Sequence, residues 1–167
     1  KGELITAIAM TEPNTGSDLQ SIKTNAIIQN NKIILNGSKT FITNGYNANL
    51  ILVVAKTDIH KKAKGISIVL CEAHRKGFKR GRNLKKIGLK AQDTAELFFE
   101  DVELPIENII GKSEQGFFQL MDELPQERLS IAVTAVSAAE AALNWTISYT
   151  KERTAFDKKI IDFQNTK

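Results

Sequence analysis

The sequence holds a single cysteine, Cys71, and only two histidines in 167 residues. One thiol excludes an internal disulfide, and so small a stock of thiols and imidazoles leaves no plausible zinc set. The lack of disulfides points to a reducing compartment. No apolar run approaches the roughly 18 residues that would suggest a membrane span. Charge of one sign is lacking too: 23 Lys and Arg stand against 19 Asp and Glu, a formal +4. That is a mild bias, not a nucleic-acid signature. With 42% apolar and 25% charged residues, the composition excludes disordered and fibrous classes. The first residues, Lys1-Gly2-Glu3-Leu4-Ile5, lack an initiator Met and read as mid-domain sequence, so the chain is expected to be a fragment of a longer protein.

The residues that are present change period partway along. Up to about Asn108, short β-rich runs alternate with turn residues, giving candidate strands at 4–10, 24–29, 33–36, 50–55, 66–71 and 95–99. Asn30-Asn31 and Asn36-Gly37 are turn signals, the first suited to a hairpin. The run 50–55 is apolar throughout, as for a strand buried on both faces. No αβ alternation is visible, which disfavours a parallel sheet and favours an antiparallel barrel or sandwich. After Pro105 the spacing turns helical. One helix is expected over 115–124 and ended by Pro125, and a longer one from 126 to about 153. Leu129, Ala132, Val136, Ala139 and Leu143 form its apolar stripe, which needs a partner subunit or further chain to bury it. Residues 157–159 read as a connection and 160–166 as the start of another helix. The expected fold is mainly β with α, a β domain over 1–110 and the start of a helical bundle over 111–167.

Three segments carry residues suited to chemistry. Thr11-Glu12-Pro13-Asn14-Thr15-Gly16-Ser17-Asp18 follows a strand, where Gly16 permits close backbone approach and Thr11, Thr15 and Ser17 offer hydroxyls. The segment suits a polar cofactor or phosphate, and equally an ordinary strand-ending turn. Phe41-Ile42-Thr43 puts an aromatic and a hydroxyl on one side of a strand, fit to flank a planar ring or to pack by simple alternation. Glu127-Arg128, read as lying near a helix start, is either helix-start chemistry or a candidate general base. The basic run RKGFKRGRNLKKIGLK reads as a solvated loop and strand edge, or as a contact for a phosphorylated ligand or an acidic surface.

The blocks AMTEPNTGSD, LNGSKTFITNG, GLKAQDTAELFFEDVELP, LPQERL and ERTAFDKKI with FQ occur in this order with fitting spacing. Together they resemble the acyl-CoA dehydrogenase family over essentially the whole chain, most closely its long-chain branch. The resemblance implies the middle β domain and the first long helix of a C-terminal four-helix domain. It also implies FAD as cofactor and an acyl-CoA thioester as substrate. Electron-transfer flavoprotein would be the electron acceptor, and the protein a homo-oligomer, dimer or tetramer. No nucleic-acid partner and no metal follow from it. The compartment would be the cytoplasm in a bacterium, which is favoured, or the mitochondrial matrix in a eukaryote. The isolated 167 residues are expected to be inactive.

Residue by residue, Ile8, Ala9, Met10, Thr11, Gly16 and Ser17 resemble the strand and turn lining the flavin, Thr11 at its pyrimidine side. Ser17 would reach cofactor and acyl-CoA alike. Phe41, Ile42 and Thr43 match the strand behind the ring, with the Thr43 hydroxyl near N5. Ala63 and Lys64 match a loop touching the CoA portion. Phe118, Pro125, Gln126, Glu127 and Arg128 match the acyl-CoA channel, while Arg153, Phe156 and Gln164 resemble residues meeting the FAD of a neighbouring subunit. Glu127 matches the base of the long-chain and isovaleryl branches; most other members carry theirs further along, beyond this chain. Two departures stand out. Asn14-Thr15 replaces the usual Gly-Ala pair, and Asp157 stands where glycine commonly follows Ala-Phe, adding negative charge near the pyrophosphate that Arg153 would meet. An isovaleryl-type dehydrogenase, an acyl-CoA oxidase or a non-catalytic module retaining the fold are the alternatives.

Overall fold

Short β-branched runs punctuated by Asn, Gly and Asp fold into one curled seven-stranded sheet, in a computed structural model that describes residues 2–166. The strands are β1 Thr6–Ala9, β2 Asn25–Gln29, β3 Lys32–Thr43, β4 Leu50–Lys56, β5 Ile66–Glu72, β6 Phe78–Asn83 and β7 Thr94–Pro105. Their order is β1-β4-β2-β3-β7-β6, with β5 on the other edge of β4. Two compact units divide the chain, one ending at Leu120 and the other beginning at Met121.

The sheet is mixed, not wholly antiparallel. β1 lies parallel to β4 from Thr6 beside Leu50 to Ala9 beside Val53, and one parallel bridge joins Asn25 to Lys56. The β2–β3 hairpin occupies the long connection between β1 and β4, which leaves enough chain for the parallel return. Asn30 and Asn31 make the expected hairpin turn, both with positive φ (47° and 59°). Asn36-Gly37, by contrast, is no turn. β3 continues through it to Thr43 with a bulge between Leu35 and Gly37, where Gly37 sits at φ 148°. A Cβ at Gly37 would collide with Thr24. Glycine here serves the bulge, a use that sequence alone does not distinguish from a turn.

β6 falls inside the basic run and was not among the expected strands. Its cations are matched across and beside the sheet: Lys79 pairs with Glu100 at 2.7 Å, Arg82 with Glu96 at 3.1 Å, and Arg80 donates to the Ala48 carbonyl at 2.7 Å. A charged, short strand at the sheet's edge is how β proteins discourage edge-to-edge pairing.

Both faces of β4 are covered, as its apolar run predicts, and both faces of β5 are covered as well. Ile51, Val53, Ala55, Val69 and Cys71 join the larger cluster with Ile33, Leu35, Ile42, Leu97, Phe99 and Val102. Val54, Ile66 and Ile68 join a second cluster with Leu19 and Ile22, closed by Phe117 and Leu120 from the start of helix α1, Gly116–Glu152. That helix begins tightly: a Cβ on Gly116 would lie 2.7 Å from the Ser67 backbone.

Helix α1 runs through Pro125 without a break, so the expected pair of helices is one element of 37 residues. Pro125 removes one backbone N–H, yet Met121, Leu124, Gln126, Glu127, Arg128 and Leu129 around it are good helix formers, and together they outweigh it. Pro125→Ala should therefore stabilise the helix by about 1–3 kcal/mol, read as a higher urea midpoint by far-UV circular dichroism. An unchanged midpoint would show that the helix's stability does not depend on this site. Leu129, Val136, Leu143 and Trp145 are exposed within this chain. Among the described residues, no helix is long and apolar enough to cross a membrane.

The end of the second unit also departs from expectation. Strands β8 Thr154–Ala155 and β9 Lys158–Lys159 form a tight hairpin, and 160–166 hold only a 3-10 turn at Ile160–Asp162 instead of a helix. Phe156 and Asp157 occupy the turn with φ 53° and 58°. That is a left-handed pair favoured by glycine or aspartate, so it accommodates Asp157 where the resemblance above leads one to expect glycine.

Candidate functional site

One carboxylate organises the segment after β1. Glu12 is buried, and its two oxygens accept from the Lys23 N–H at 2.7 Å, the Thr24 N–H at 2.9 Å and Lys39 Nζ at 3.0 Å. Lys39 is itself buried and also donates to the Met10 carbonyl at 2.8 Å. The Thr40 N–H donates to the Thr11 carbonyl at 2.9 Å, so the end of β1 lies beside the end of β3. Further along, Asn44 Nδ2 reaches the Thr6 carbonyl, and buried Asp93 accepts from the Tyr46 N–H and Asn47 Nδ2. The loop between is closed on itself. Glu12 and Thr15 exchange backbone hydrogen bonds at 2.8 and 3.1 Å around Pro13-Asn14.

Burial alone would raise the Glu12 carboxyl, but the Lys39 charge and the bonds from Thr24 and Lys23 outweigh it and hold its pKa below the ordinary value. Burial drives Lys39 the other way, down to about 8, against the attraction of Glu12. The unfolded lysine keeps its proton to roughly pH 10.4. Between those values the unfolded state therefore binds more protons, so this group makes the fold more stable as pH rises. The gain reaches on the order of 3 kcal/mol across the window, given a pKa near 8 in the folded chain. Urea unfolding of the parent and Lys39→Met from pH 7.5 to 10 should diverge by about 1 kcal/mol per pH unit in the parent's favour. Parallel curves would place the titration elsewhere.

The residues expected to line a flavin sort by exposure around this framework. Ile8, Phe41 and Thr43 are exposed, Ala9 and Ile42 are buried between them, and Met10 and Thr11 are half-buried. Phe41 is 67% exposed and has φ 57°, at the bulge between Lys39 and Ile42. A bulky residue with positive φ is a genuine outlier, and an aromatic held open to solvent in that state fits a wall for a planar ring. Simple alternating core packing does not describe it. Gly16 and Ser17 are exposed on the loop, whereas Thr15, one of the three hydroxyls expected to serve as donors there, is buried. Exposed Ile8 and Phe41, with hydroxyls at Thr11, Ser17 and Thr43 on the same two segments, are residue types chemically suited to an isoalloxazine.

Ala63 and Lys64 lie in the 3-10 turn Ala63–Gly65 between β4 and β5, with Lys64 exposed. Beside them Lys61 bonds Asp58 at 3.2 Å and Glu114 at 2.9 Å. In the other unit, Pro125, Gln126, Glu127 and Arg128 are exposed on α1, and Glu123, Gln126, Glu127, Ser130 and Ile131 border one shallow concavity. Phe118, near the start of α1, is 42% exposed. Glu127 is not at a helix start. α1 begins at Gly116, eleven residues earlier, so the N-terminal dipole, confined to the first turn, does not act on it. Neighbours in a helix also point apart, so Arg128 is not placed to pair with it. Arg153 follows α1 and brackets the small hairpin, its carbonyl accepting from the Ile160 N–H at 2.9 Å. Phe156 is largely exposed at the hairpin tip, 6.4 Å from the Phe163 ring, with Gln164 exposed beyond.

Sequence reasoning passed over Glu12 and Lys39. The available signal was a lysine in a strand at a position that alternation assigns to the core, since Lys39 follows Ile33 and Leu35 on the even step. Cys71, read as core, is buried with its thiol pushed up to about 12 by burial and then by Glu72, which leaves it unreactive.

Residues 7–102 match the family model of the acyl-CoA dehydrogenase middle domain, and residues 114–167 that of the acyl-CoA dehydrogenase C-terminal domain. The long-chain specific acyl-CoA dehydrogenase of Sus scrofa is 54% identical over 98% of this chain and 38% of its own length. The crystal structure of an acyl-CoA dehydrogenase from Geobacillus kaustophilus superposes with a TM-score of 0.93 at 51% identity, over 99% of this chain and 44% of that one. Butyryl-CoA dehydrogenase from Megasphaera elsdenii gives 0.90 at 38% identity, over 98% and 43%. The chain thus spans about two-fifths of the length of the relatives it matches.

Proposed function

The chain belongs to the acyl-CoA dehydrogenase family, and from that premise we propose that the full-length protein is an FAD-dependent dehydrogenase of acyl-CoA thioesters, with long-chain preference. The observation that carries the substrate class is the 54% identity to a long-chain specific relative across 98% of this chain. The exposed, strained Phe41 beside Thr11 supports a flavin on the same unit.

In this reading Ile8 and Phe41 face the ring, and Thr11, Thr43 and Ser17 bond its polar edge. Bound FAD supplies the acceptor for the β-hydrogen, which leaves with its electron pair. Glu127 takes the α-proton, so that the Cα–H pair becomes the new Cα–Cβ double bond and the thioester stays intact. An α-proton is weakly acidic, so donors to the thioester oxygen and exclusion of water must accompany the step. Phe118, Pro125, Gln126 and Arg128 flank the acyl chain, and Ala63 and Lys64 the CoA portion. Arg153, Phe156 and Gln164 meet the FAD of a neighbouring protomer in a dimer or tetramer. Electron-transfer flavoprotein would be the electron acceptor. The resemblance, not proximity within this chain, joins Glu127 to the flavin wall.

The test is anaerobic. Purified full-length protein should be yellow, and its flavin band should bleach fastest with the long members of a series of saturated acyl-CoA thioesters. A colourless, unbleached protein would leave only a non-catalytic module. Fastest bleaching by isovaleryl-CoA would move the assignment to that branch, and stoichiometric hydrogen peroxide in air would make it an oxidase.

A further inference from the structure

The ion pair Glu12–Lys39 is bonded to the Met10–Glu12 segment and neighbours the Thr40–Phe41 segment, yet neither side chain is exposed enough to touch a ligand. Its bonds have a pattern that packing alone does not require. Met10 and Glu12 each bond Lys39, and Thr11 between them bonds Thr40, so three successive residues are fastened to two. Two positions beyond Lys39, the bulge throws Phe41 outward with positive φ. The same carboxylate holds the far end of the loop through the Lys23 and Thr24 N–H groups, so the loop that exposes Ser17 is closed at both ends by one side chain. Buried ion pairs rarely add net stability over apolar residues of like volume, and a well-attested use is to fix one arrangement among several.

We propose that Glu12 and Lys39 are positioning residues for the flavin: their buried pair fastens the Thr11 and Ser17 loop to the Phe41 bulge, setting the ring's wall and hydroxyls in register. The inference rests on the flavin reading above and concerns residues that do not contact the ring. An apolar substitute for the pair would preserve the core but let the loop and bulge shift independently. A shift of the hydroxyls by an ångström is enough to weaken a bound cofactor.

The experiment uses full-length apoprotein reconstituted with FAD. Glu12→Gln should raise the FAD dissociation constant about tenfold or more and alter the visible circular dichroism of the bound flavin, which reports the asymmetry of its surroundings. Should Glu12→Gln fail to fold, the charge-free double variant Glu12→Gln/Lys39→Met, which leaves no unpaired buried charge, replaces it with the same expectation. Leu104→Ala is the control. It opens the core at the end of β7 away from Thr94 and should lower thermal stability while keeping the dissociation constant within about twofold. Parent-like affinity and flavin dichroism in the folded variants would overturn the proposal, as would an equal loss in Leu104→Ala, which would reduce the effect to stability. A parent protein that binds no FAD at all would instead remove the functional reading itself.

Discussion

If the full-length protein works as proposed, Glu127→Gln should slow anaerobic flavin reduction by saturating acyl-CoA by about 10²–10⁴-fold, the usual worth of a positioned general base. Glutamine matches glutamate in shape and in helix propensity, so α1 should form as before. It cannot accept the α-proton. FAD content and acyl-CoA affinity should stay near parental values, which separates loss of the base from loss of the site. The position of Glu127 sharpens this test. Were it a helix-start carboxylate, the substitution would also cost stability through the dipole. It lies eleven residues into α1, on an exposed surface, so no such cost is expected. A silent substitution, with bleaching within about threefold of the parent, would place the base in a residue outside this chain.

Elements with one dominant period were legible in the sequence. β4 reads as a doubly buried strand because its run 50–55 is apolar throughout, and it does feed two separate clusters, as β5 also does. Asn30-Asn31 read as a hairpin turn because few other residue pairs tolerate two positive φ angles. Legibility failed where a local rule met a tertiary one. Pro125 is a strong stop signal, but its cost of about 3 kcal/mol was set against good helix formers on both sides and against a helix start fastened by Phe117 and Leu120. Gly37 and the residues of β6 carry turn-like or loop-like composition. Pairing with β7 makes both into strand, and no periodicity within the six residues of β6, three of them charged, announces that partner.

The site divides along the same line. Phe41 and Thr43 share a side by simple alternation, which the sequence shows directly. That Phe41 stands open at positive φ depends on an extra residue in β3 relative to β7, a matter of register between segments more than fifty residues apart. Glu12 and Lys39 were invisible for a related reason. Each alone is a charged residue near a turn or in a strand, and burial makes sense only when the partner 27 positions away is known.

That pair gives the second large effect. Lys39→Ala should destabilise the fold by about 3–5 kcal/mol, because it strands the Glu12 carboxylate in the interior without its counter-charge and opens a cavity. The pH dependence identifies the cause. In the parent, Glu12 titrates below its unfolded value, so its contribution is present at neutral pH and is lost as pH falls through the lower folded pKa. Without Lys39 the largest lowering influence is gone, so the carboxyl pKa rises from its parental value and the folded variant takes up its proton at a higher pH than the folded parent. Lowering the pH through that value should therefore narrow the gap to the parent. A cavity by itself would leave that gap constant. Adding Glu12→Gln to Lys39→Ala removes the stranded charge and should recover a substantial part of the loss at pH 7, in urea unfolding followed by far-UV circular dichroism. If the double variant is as unstable as the sum of its singles, the two side chains act independently and the ion pair does not hold this end of the sheet.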